Sequence, residues 1–188
     1  MPKNRLFLIL TLGFIFLQFC FSCSNPAEKA QKHLYFEWKQ FLQAEITRLK
    51  SINPPIRKSI ILNEKKEEKT LHQVNFENEL SLFLDADLNK PAFENSYDNL
   101  SENNIIWYSL KKEENLKVKK VLIHLDNAEM PENVEIVIQE KNILFSTEKK
   151  LNMHFTEGKL QTYSIEGTQQ LAWLSPTNYK MMGVILPK

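Results

Sequence analysis

The stretch that decides the fold runs from residue 143 to residue 174 and reads ILFSTEKKLNMHFTEGKLQTYSIEGTQQLAWL. Its first part alternates, with one set of positions formed by Ile143, Phe145, Thr147, Lys149, Leu151, Met153 and Phe155. Such alternation is typical of a half-buried β-strand. Thr156-Glu157-Gly158 then predicts a tight turn, because glycine adopts positive φ without strain. Residues 159–174 run back, so the stretch predicts a long antiparallel hairpin.

Shorter alternating runs on both sides of this hairpin predict further strands. They cover residues 56–62, 105–110, 118–125, 134–139 and 179–186. The charged run 64–69 is interpreted as a solvated turn, with residues 70–74 returning antiparallel. Residues 91–104 are polar and lack a clear period, so we interpret them as a loop.

The residues before the first strand predict a long amphipathic helix. Asn25-Pro26 has the form of a helix start, with a capping residue before proline at the first helical position. Asn53-Pro54-Pro55 ends the helix, which reaches about Lys50, because proline excludes the preceding residue from helical geometry. Apolar side chains recur between these limits at three- and four-residue steps: Leu34, Trp38, Phe41, Leu42, Ile46 and Leu49. A second, short helix is predicted over residues 76–84, capped by Asn75.

These elements predict the fold class. Sequential strands joined by short turns form an antiparallel meander, and the apolar face of a meander must be covered. The aromatic stripe of the long helix provides that cover. We therefore predict an α+β fold in which a long N-terminal amphipathic helix packs on an antiparallel β-meander, with a strongly curved sheet or half-barrel left open. Residues 31–188 form a single domain in this prediction.

The N-terminal residues have the layout of a bacterial secretory signal. Lys3 and Arg5 are followed by residues 6–21, which carry no charge. This run is short for a membrane span, since a helix needs about 20 apolar residues to cross the hydrocarbon core. We therefore expect it to be a removable leader.

The end of the leader, Ser22-Cys23-Ser24-Asn25, resembles the lipobox of bacterial lipoproteins. The resemblance implies that Cys23 is acylated, with palmitate-type chains, and becomes the mature N-terminus. Cys20 stands where that pattern has an aliphatic residue, which is a departure from it. We expect a lipoprotein signal peptide over residues 1–22 and a tether over 23–30. An uncleaved anchor, or a plain signal peptide cut near Ser22, are the alternatives.

The leader and the helix-plus-sheet pattern together resemble the small envelope lipoproteins of Gram-negative bacteria. That resemblance implies a protein held on the membrane through Cys23 and facing the periplasm. Ser24 after the cysteine is compatible with the outer membrane, which we expect in preference to the inner one.

Composition excludes one class of partner. The formal net charge is +1, and removing the leader with Lys3 and Arg5 lowers it by two, to −1. Nucleic-acid binding needs a basic surface, so we expect no nucleic-acid partner. Both cysteines, Cys20 and Cys23, lie at the end of the leader, so the remaining chain cannot form a disulfide.

Motifs for catalysis or metal binding are incomplete. Asp85, Asp87 and Asn89 have the spacing that opens a calcium loop, but Lys90 stands where the loop needs glycine and Ser96 where it needs glutamate. The histidines, at positions 33, 72, 124 and 154, lack the spacing of a zinc site. Signatures of a nucleophilic serine are absent. We therefore predict no metal, no cofactor and no catalytic residue.

Aromatic residues are the remaining candidates for a ligand site. Trp107, Tyr163 and Trp173 are predicted to bind a ligand, and together with Tyr108 and Tyr179 they could line a sugar or lipid groove. Positions in the core or at its rim are the alternative interpretation.

Three functional hypotheses follow. The first is a non-enzymatic binding or envelope-assembly protein for an apolar ligand or an envelope protein, acting through a cleft between helix and sheet or through the loop 91–104. The second is a hydrolase of envelope polysaccharide or lipid that uses His124, Asp126 and His154. The third is a purely structural protein, which predicts no cavity of about 300 Å³ or more.

Overall fold

The hairpin predicted over residues 143–174 lies inside a nine-stranded antiparallel sheet. The computed structural model describes residues 34–187. Its strands are β1 Ile56–Leu62, β2 Lys65–Leu71, β3 Tyr97–Glu102, β4 Ile105–Leu110, β5 Val118–Leu125, β6 Pro131–Lys141, β7 Phe145–Thr156, β8 Lys159–Leu171 and β9 Thr177–Ile185. Its helices are α1 Trp38–Ile52, α2 Phe76–Glu79 and α3 Ser81–Asp85, with a 3₁₀ turn at Pro91–Phe93.

The order of strands across the sheet is β2-β1-β9-β8-β7-β6-β5-β4-β3. Strands β3 to β9 therefore lie side by side in chain order, whereas β1 pairs with both β2 and the last strand, β9. Three hairpin turns have two residues at positive φ: Asn63-Glu64, Asn103-Asn104 and Glu157-Gly158. Such turns match the right-handed twist of the paired strands.

The predicted α+β fold, with a long N-terminal helix packed on a meander, is wrong. The described residues form mainly one nine-stranded sheet, and α1, with 15 residues, is their one helix longer than five. Helix α1 begins at Trp38 because the preceding chain is held in another conformation. The Tyr35 N–H donates to Asn89 Oδ1 at 3.0 Å, and Asn89 Nδ2 donates to the Tyr35 carbonyl at 3.0 Å. The predicted helix start, at Pro26, lies outside the described residues.

Most of both edge strands was predicted as irregular, although an antiparallel return strand was predicted over residues 70–74. The charged run 64–69, predicted as a turn, lies mostly in β2, and the predicted loop 91–104 contains β3. An edge strand has one partner, and polar side chains protect its free edge from pairing with another chain. Their composition therefore differs from that of the central strands.

Helix α1 packs through the predicted stripe. Trp38, Leu42, Ile46 and Leu49 are buried, and the helix ends at Asn53, whose φ is 42° and whose N–H donates to the Leu49 carbonyl. The face of the sheet that contacts the helices is called the inner face, and the opposite one the outer face. On the inner face Phe155 lies 6.3 Å from the ring of Trp38 and 5.2 Å from that of Phe41.

Two carboxylates stabilise this packing. Glu45 is buried, accepts two hydrogen bonds from Arg48 at 2.6 Å and a third from the Leu160 N–H at 2.8 Å. The hydrogen bonds between Arg48 and Glu45 raise the pKa of Arg48 above its ordinary value. Glu79 accepts a hydrogen bond from Lys58 at 2.7 Å and one from the Tyr163 hydroxyl at 2.6 Å. Among the described residues, no buried side-chain nitrogen or oxygen lacks a hydrogen-bond partner.

The two ends of the strands differ. At the covered end, around the turn Glu157-Gly158, the inner residues of β7 and β8 are buried. At the opposite end, called the open end, the β7–β8 ladder finishes at the pair Phe145–Leu171, and its residues are half-buried or exposed. The turns 63–64, 142–144 and 172–176 lie at the open end, as the pairing of β1, β7, β8 and β9 requires.

Candidate functional site

An open hollow of about 620 Å³ lies near the open end of the sheet, bounded by β1, β7, β8 and β9. Its wall is mainly polar: Ile61, Asn63, Glu64, Glu148, Lys150, Glu166, Gly167, Thr168, Asn178, Tyr179 and Lys180. Glu148, Lys150, Glu166 and Lys180 belong to the outer face, where Lys150 pairs with Glu166 and Glu166 with Lys180 in the strand register. We call this feature the outer hollow.

The charges of the outer hollow alternate in sign. Lys180 forms an ion pair with Glu166 across β8 and β9. Lys150 Nζ lies 3.1 Å from Glu135, which also pairs with Lys120 at 3.4 Å. Burial alone would raise the pKa of Glu135, but the hydrogen bonds and charges of the two lysines lower it below its ordinary value. Ammonium and carboxylate groups therefore stand next to each other along the wall.

Neutral polar groups complete the wall. Thr168 Oγ1 donates to Asn178 Oδ1 at 2.8 Å. The ring of Tyr179 is not part of this polar wall: the pair Gly167–Tyr179 follows the pair Ile165–Met181 in the register, so the ring lies on the inner face, packed against the core. A Cβ at Gly167 would stand 2.6 Å from the ring, so glycine is required for this close approach. Burial raises the pKa of Tyr179. Such a wall offers hydrogen-bond donors and acceptors at short spacing, and ligand hydroxyls can use both.

The structure does not bring the predicted ligand residues Trp107, Tyr163 and Trp173 together. Tyr163 is 1% exposed, and its ring lies 6.1 Å from that of Phe83 on the inner face. Burial, followed by the hydrogen bond to Glu79, strongly raises its pKa. Tyr163 is therefore a core residue in this fold.

The two tryptophans lie on separate surfaces. Trp107 is exposed on β4, with Lys120 Nζ 4.5 Å from its ring centroid, beside a shallow depression of about 210 Å³. Trp173 is 94% exposed in the turn between β8 and β9. Tyr108 is buried, and the half-buried Tyr179 packs against the core on the inner face.

The predicted cleft between helix and sheet is filled. The gap lined by residues of the α1 entry and of β4 and β5, including Trp38, Tyr108 and Val121, measures about 10 Å³. Small-ligand clefts begin at about 300 Å³, so this gap is far too small for one.

The three residues of the hydrolase hypothesis do not line the outer hollow. His124 and His154 are both in register with Asn133, which stands between them on β6, and His154 Nδ1 lies 3.0 Å from Asn133 Oδ1. Asp126 accepts hydrogen bonds from the N–H groups of Ala128 and Met130 at 2.8 and 3.0 Å, which fixes its own turn.

The incomplete calcium motif has a structural role. Asp87 Oδ1 accepts from the Asn89 N–H at 3.2 Å, and Asn89 is the residue that holds the Tyr35 peptide. Within residues 34–187, no group of three or more His, Cys, Asp or Glu side chains is placed to hold a metal ion.

Cys23, the predicted lipidation site, lies outside the described residues, as do the predicted leader and tether. No helix within the described part of the chain is both long and apolar enough to cross a membrane.

Compared with protein-family models, curated proteins and solved structures, the chain shows no match. The geometry of the described residues therefore carries the functional argument. Sequence reasoning missed Glu148, Lys150, Glu166 and Lys180, because they come together only through the strand register. One sequence signal could have indicated them: all four are charged residues that alternate with inward-facing residues along the long strands β7, β8 and β9.

Proposed function

We propose that this chain is a lipid-anchored protein of the bacterial cell envelope with a non-enzymatic binding role, and that its ligand is an envelope saccharide bound in the outer hollow. The anchor is supported by the charge-free leader and by Ser22-Cys23 at its end. The periplasmic side of the membrane, with the outer membrane preferred, is the location we propose.

The observation that carries the binding role is the outer hollow itself. Its volume of about 620 Å³ lies within the range of small-ligand sites, about 300–1,000 Å³. Saccharide hydroxyls donate to carboxylates and accept from ammonium groups, and the wall alternates Glu148 and Glu166 with Lys150 and Lys180. A purely structural protein was expected to have no cavity of this size. None of the three residues of the hydrolase hypothesis lines the outer hollow, and the hydrogen bonds of Asp126 and His154 are to the turn 126–130 and to Asn133.

The binding role is tested with soluble envelope saccharides, namely peptidoglycan disaccharide-peptides and N-acetylglucosamine oligomers, titrated into the protein while amide NMR shifts are recorded. We expect shifts at residues of the outer hollow. The double variant Glu166→Gln/Lys180→Met should weaken binding about tenfold, because two charge-assisted hydrogen-bonding groups are lost.

The matched control is Lys117→Met/Glu140→Gln, which removes an exposed ion pair outside the outer hollow, whose Nζ–Oε2 distance is 3.0 Å. This control should bind like the wild type. Saccharides that shift no residue of the outer hollow, or equal weakening by both double variants, would contradict the proposed ligand class.

The anchor is tested separately by Cys23→Ser, which should release the protein from membranes and abolish palmitate labelling. Each buried CH₂ of an acyl chain contributes about 0.8 kcal/mol to membrane attachment, so loss of the chains removes most of it. A Cys23→Ser protein that still sediments with membranes after a carbonate wash would contradict lipid anchoring.

A further inference from the structure

Two neighbouring turns at the open end of the sheet present apolar side chains to solvent. The β6–β7 turn carries Ile143 and Leu144, and the β8–β9 turn carries Trp173 and Leu174, beside Leu171 at the end of β8. The Ala172 N–H donates to the Leu144 carbonyl at 2.7 Å, so the two turns form one unit. We call these five residues the apolar tip.

The exposure of the apolar tip exceeds that of ordinary surface residues. Ile143 is 96% exposed, Trp173 94%, and Leu144 and Leu174 just over 60%. Single exposed apolar side chains are common, but a contiguous exposed group of this kind marks an interaction site.

The backbone holds the apolar tip in its exposed position. Asn142 Oδ1 accepts hydrogen bonds from the N–H groups of Leu144 and Phe145 at 2.8 and 2.9 Å, which fixes the β6–β7 turn. Trp173 has φ 66°, a conformation that costs a bulky residue about 1–3 kcal/mol.

Charge distribution indicates the kind of partner. Residues 142–147 and 167–179 contain no charged side chain, although charged residues form 25% of the chain. The adjoining segments are near neutral: the loop 111–117 and the end of β6 together carry Lys111, Lys112, Lys117 and Lys141 against Glu113, Glu114 and Glu140. An uncharged apex with a mixed-charge surround complements a lipid bilayer, whose apolar interior lies beneath a zwitterionic headgroup layer.

We propose that the apolar tip inserts into the interfacial region of a phospholipid bilayer. Tryptophan is enriched at that depth because its ring is apolar and its N–H is polar. Burying a side chain such as isoleucine contributes about 1.5–3 kcal/mol, so several together bind measurably. Apolar burial rather than charge drives this contact, and we expect little dependence on salt. The inference is independent of the ligand proposed for the outer hollow.

Trp173 itself provides the test. The chain has three tryptophans: Trp38 is buried, Trp107 is exposed on β4, and Trp173 lies in the apolar tip. In a Trp107→Phe background, the full chain is reconstituted into phosphatidylcholine vesicles. Lipids with brominated acyl chains quench tryptophan fluorescence on contact, and they are supplied in two separate arms. One arm places the brominated lipid in the vesicles that hold the protein, and the other in added protein-free vesicles.

We expect quenching and a blue shift in at least one arm, both lost in Trp107→Phe/Trp173→Phe. Ile143→Ser should weaken the quenched state about tenfold, since burial of one isoleucine is lost. The matched control is Leu100→Ser, at a residue 60% exposed on β3, which should leave quenching unchanged.

An unquenched Trp173 in both arms would overturn the proposal. A blue shift without quenching that grows with protein concentration would also overturn it, in favour of a second copy of this chain at the apolar tip. Equal loss of quenching in Ile143→Ser and Leu100→Ser would indicate unfolding or a general surface effect and would equally contradict a specific insertion.

Discussion

The two ends of the β7–β8 hairpin share one backbone ladder and have opposite surroundings. At the covered end, Leu151, Phe155 and Leu160 are buried in the core, and the ring of Phe155 packs on Trp38 and Phe41 of α1. At the open end, the same two strands end in the apolar tip, and no helix of the described chain covers it. The comparison teaches that hydrophobic side chains stabilise the fold at one end of this hairpin and are available for binding at the other.

The largest difference in stability between the two ends is expected from phenylalanine substitutions in β7. Phe155→Ala removes a fully buried ring that packs on Trp38 and Phe41, and should lower the free energy of unfolding by about 3–5 kcal/mol. Phe145→Ala, ten residues away on the same strand and half-buried, should cost about 1 kcal/mol or less. Urea denaturation measures both. Similar losses would mean that the open end is part of the cooperative core.

The next largest difference between the two ends is expected from removing a buried carboxylate, Glu45, or an exposed one, Glu140. Glu45→Ala leaves the Leu160 N–H without its acceptor and Arg48 without its partner, and should cost about 2 kcal/mol. Glu140→Ala breaks an exposed pair with Lys117 near the open end and should change stability by about 0.5 kcal/mol or less. A Glu140→Ala loss as large as that of Glu45→Ala would remove the distinction between the two ends.

Alkaline pH should destabilise the fold through its buried tyrosines. The pKa values of Tyr97 and Tyr163 are strongly raised, mainly by burial, so the folded protein keeps both protons where the unfolded chain, with tyrosine pKa about 10, loses them. Stability should therefore fall as pH rises above about 10, by about 1.4 kcal/mol per pH unit for each tyrosine.

Urea denaturation between about pH 9 and pH 11 measures this slope. Tyr163→Phe should make the slope shallower by about one tyrosine's contribution. Tyr179→Phe should change the slope less, because the pKa of Tyr179 is raised by burial alone and the residue is only half-buried. Equal effects of the two variants would contradict the prediction that the buried Tyr163 contributes more to the pH dependence of stability than Tyr179 does.

The smallest effect is expected at Trp173. Asparagine tolerates the left-handed conformation, so Trp173→Asn should stabilise the protein by about 1 kcal/mol while removing the apolar side chain. Trp107→Asn, in an ordinary strand conformation, should instead destabilise slightly through loss of the Lys120 contact. Thermal denaturation separates the two, and a destabilised Trp173→Asn protein would mean that the turn carries no strain.

The sequence predicted the central strands well, because their alternation is local. The bounds of β4 and β5 agree with the predicted strands 105–110 and 118–125, and the turn at Glu157-Gly158 lies where Thr156-Glu157-Gly158 placed it. Strand β3 was missed, and the antiparallel return predicted over 70–74 begins earlier, as β2 at Lys65, because edge strands carry polar residues that resemble those of turns. The pairing of β1 with β9 joins distant segments and leaves no local signal.

The candidate sites were harder to predict for the same reason. Glu166 and Lys180 are 14 positions apart and meet only through the register of β8 and β9. Ile143 and Trp173 were predicted as strand residues, because apolar side chains in an alternating run usually face a core. In the structure both residues lie in turns at the open end, where no other part of the described chain buries them.

The pairing of β1 with β9 has a consequence for how the polypeptide acquires its shape. Strands β3 to β9 can pair one after another during synthesis, because each is adjacent in the sheet to the strand that precedes it closely in the chain. The first hairpin must wait for the last strand, with more than 110 residues between Leu62 and Thr177. The nine-stranded sheet is therefore completed only after β9, its last strand in the chain, has been made.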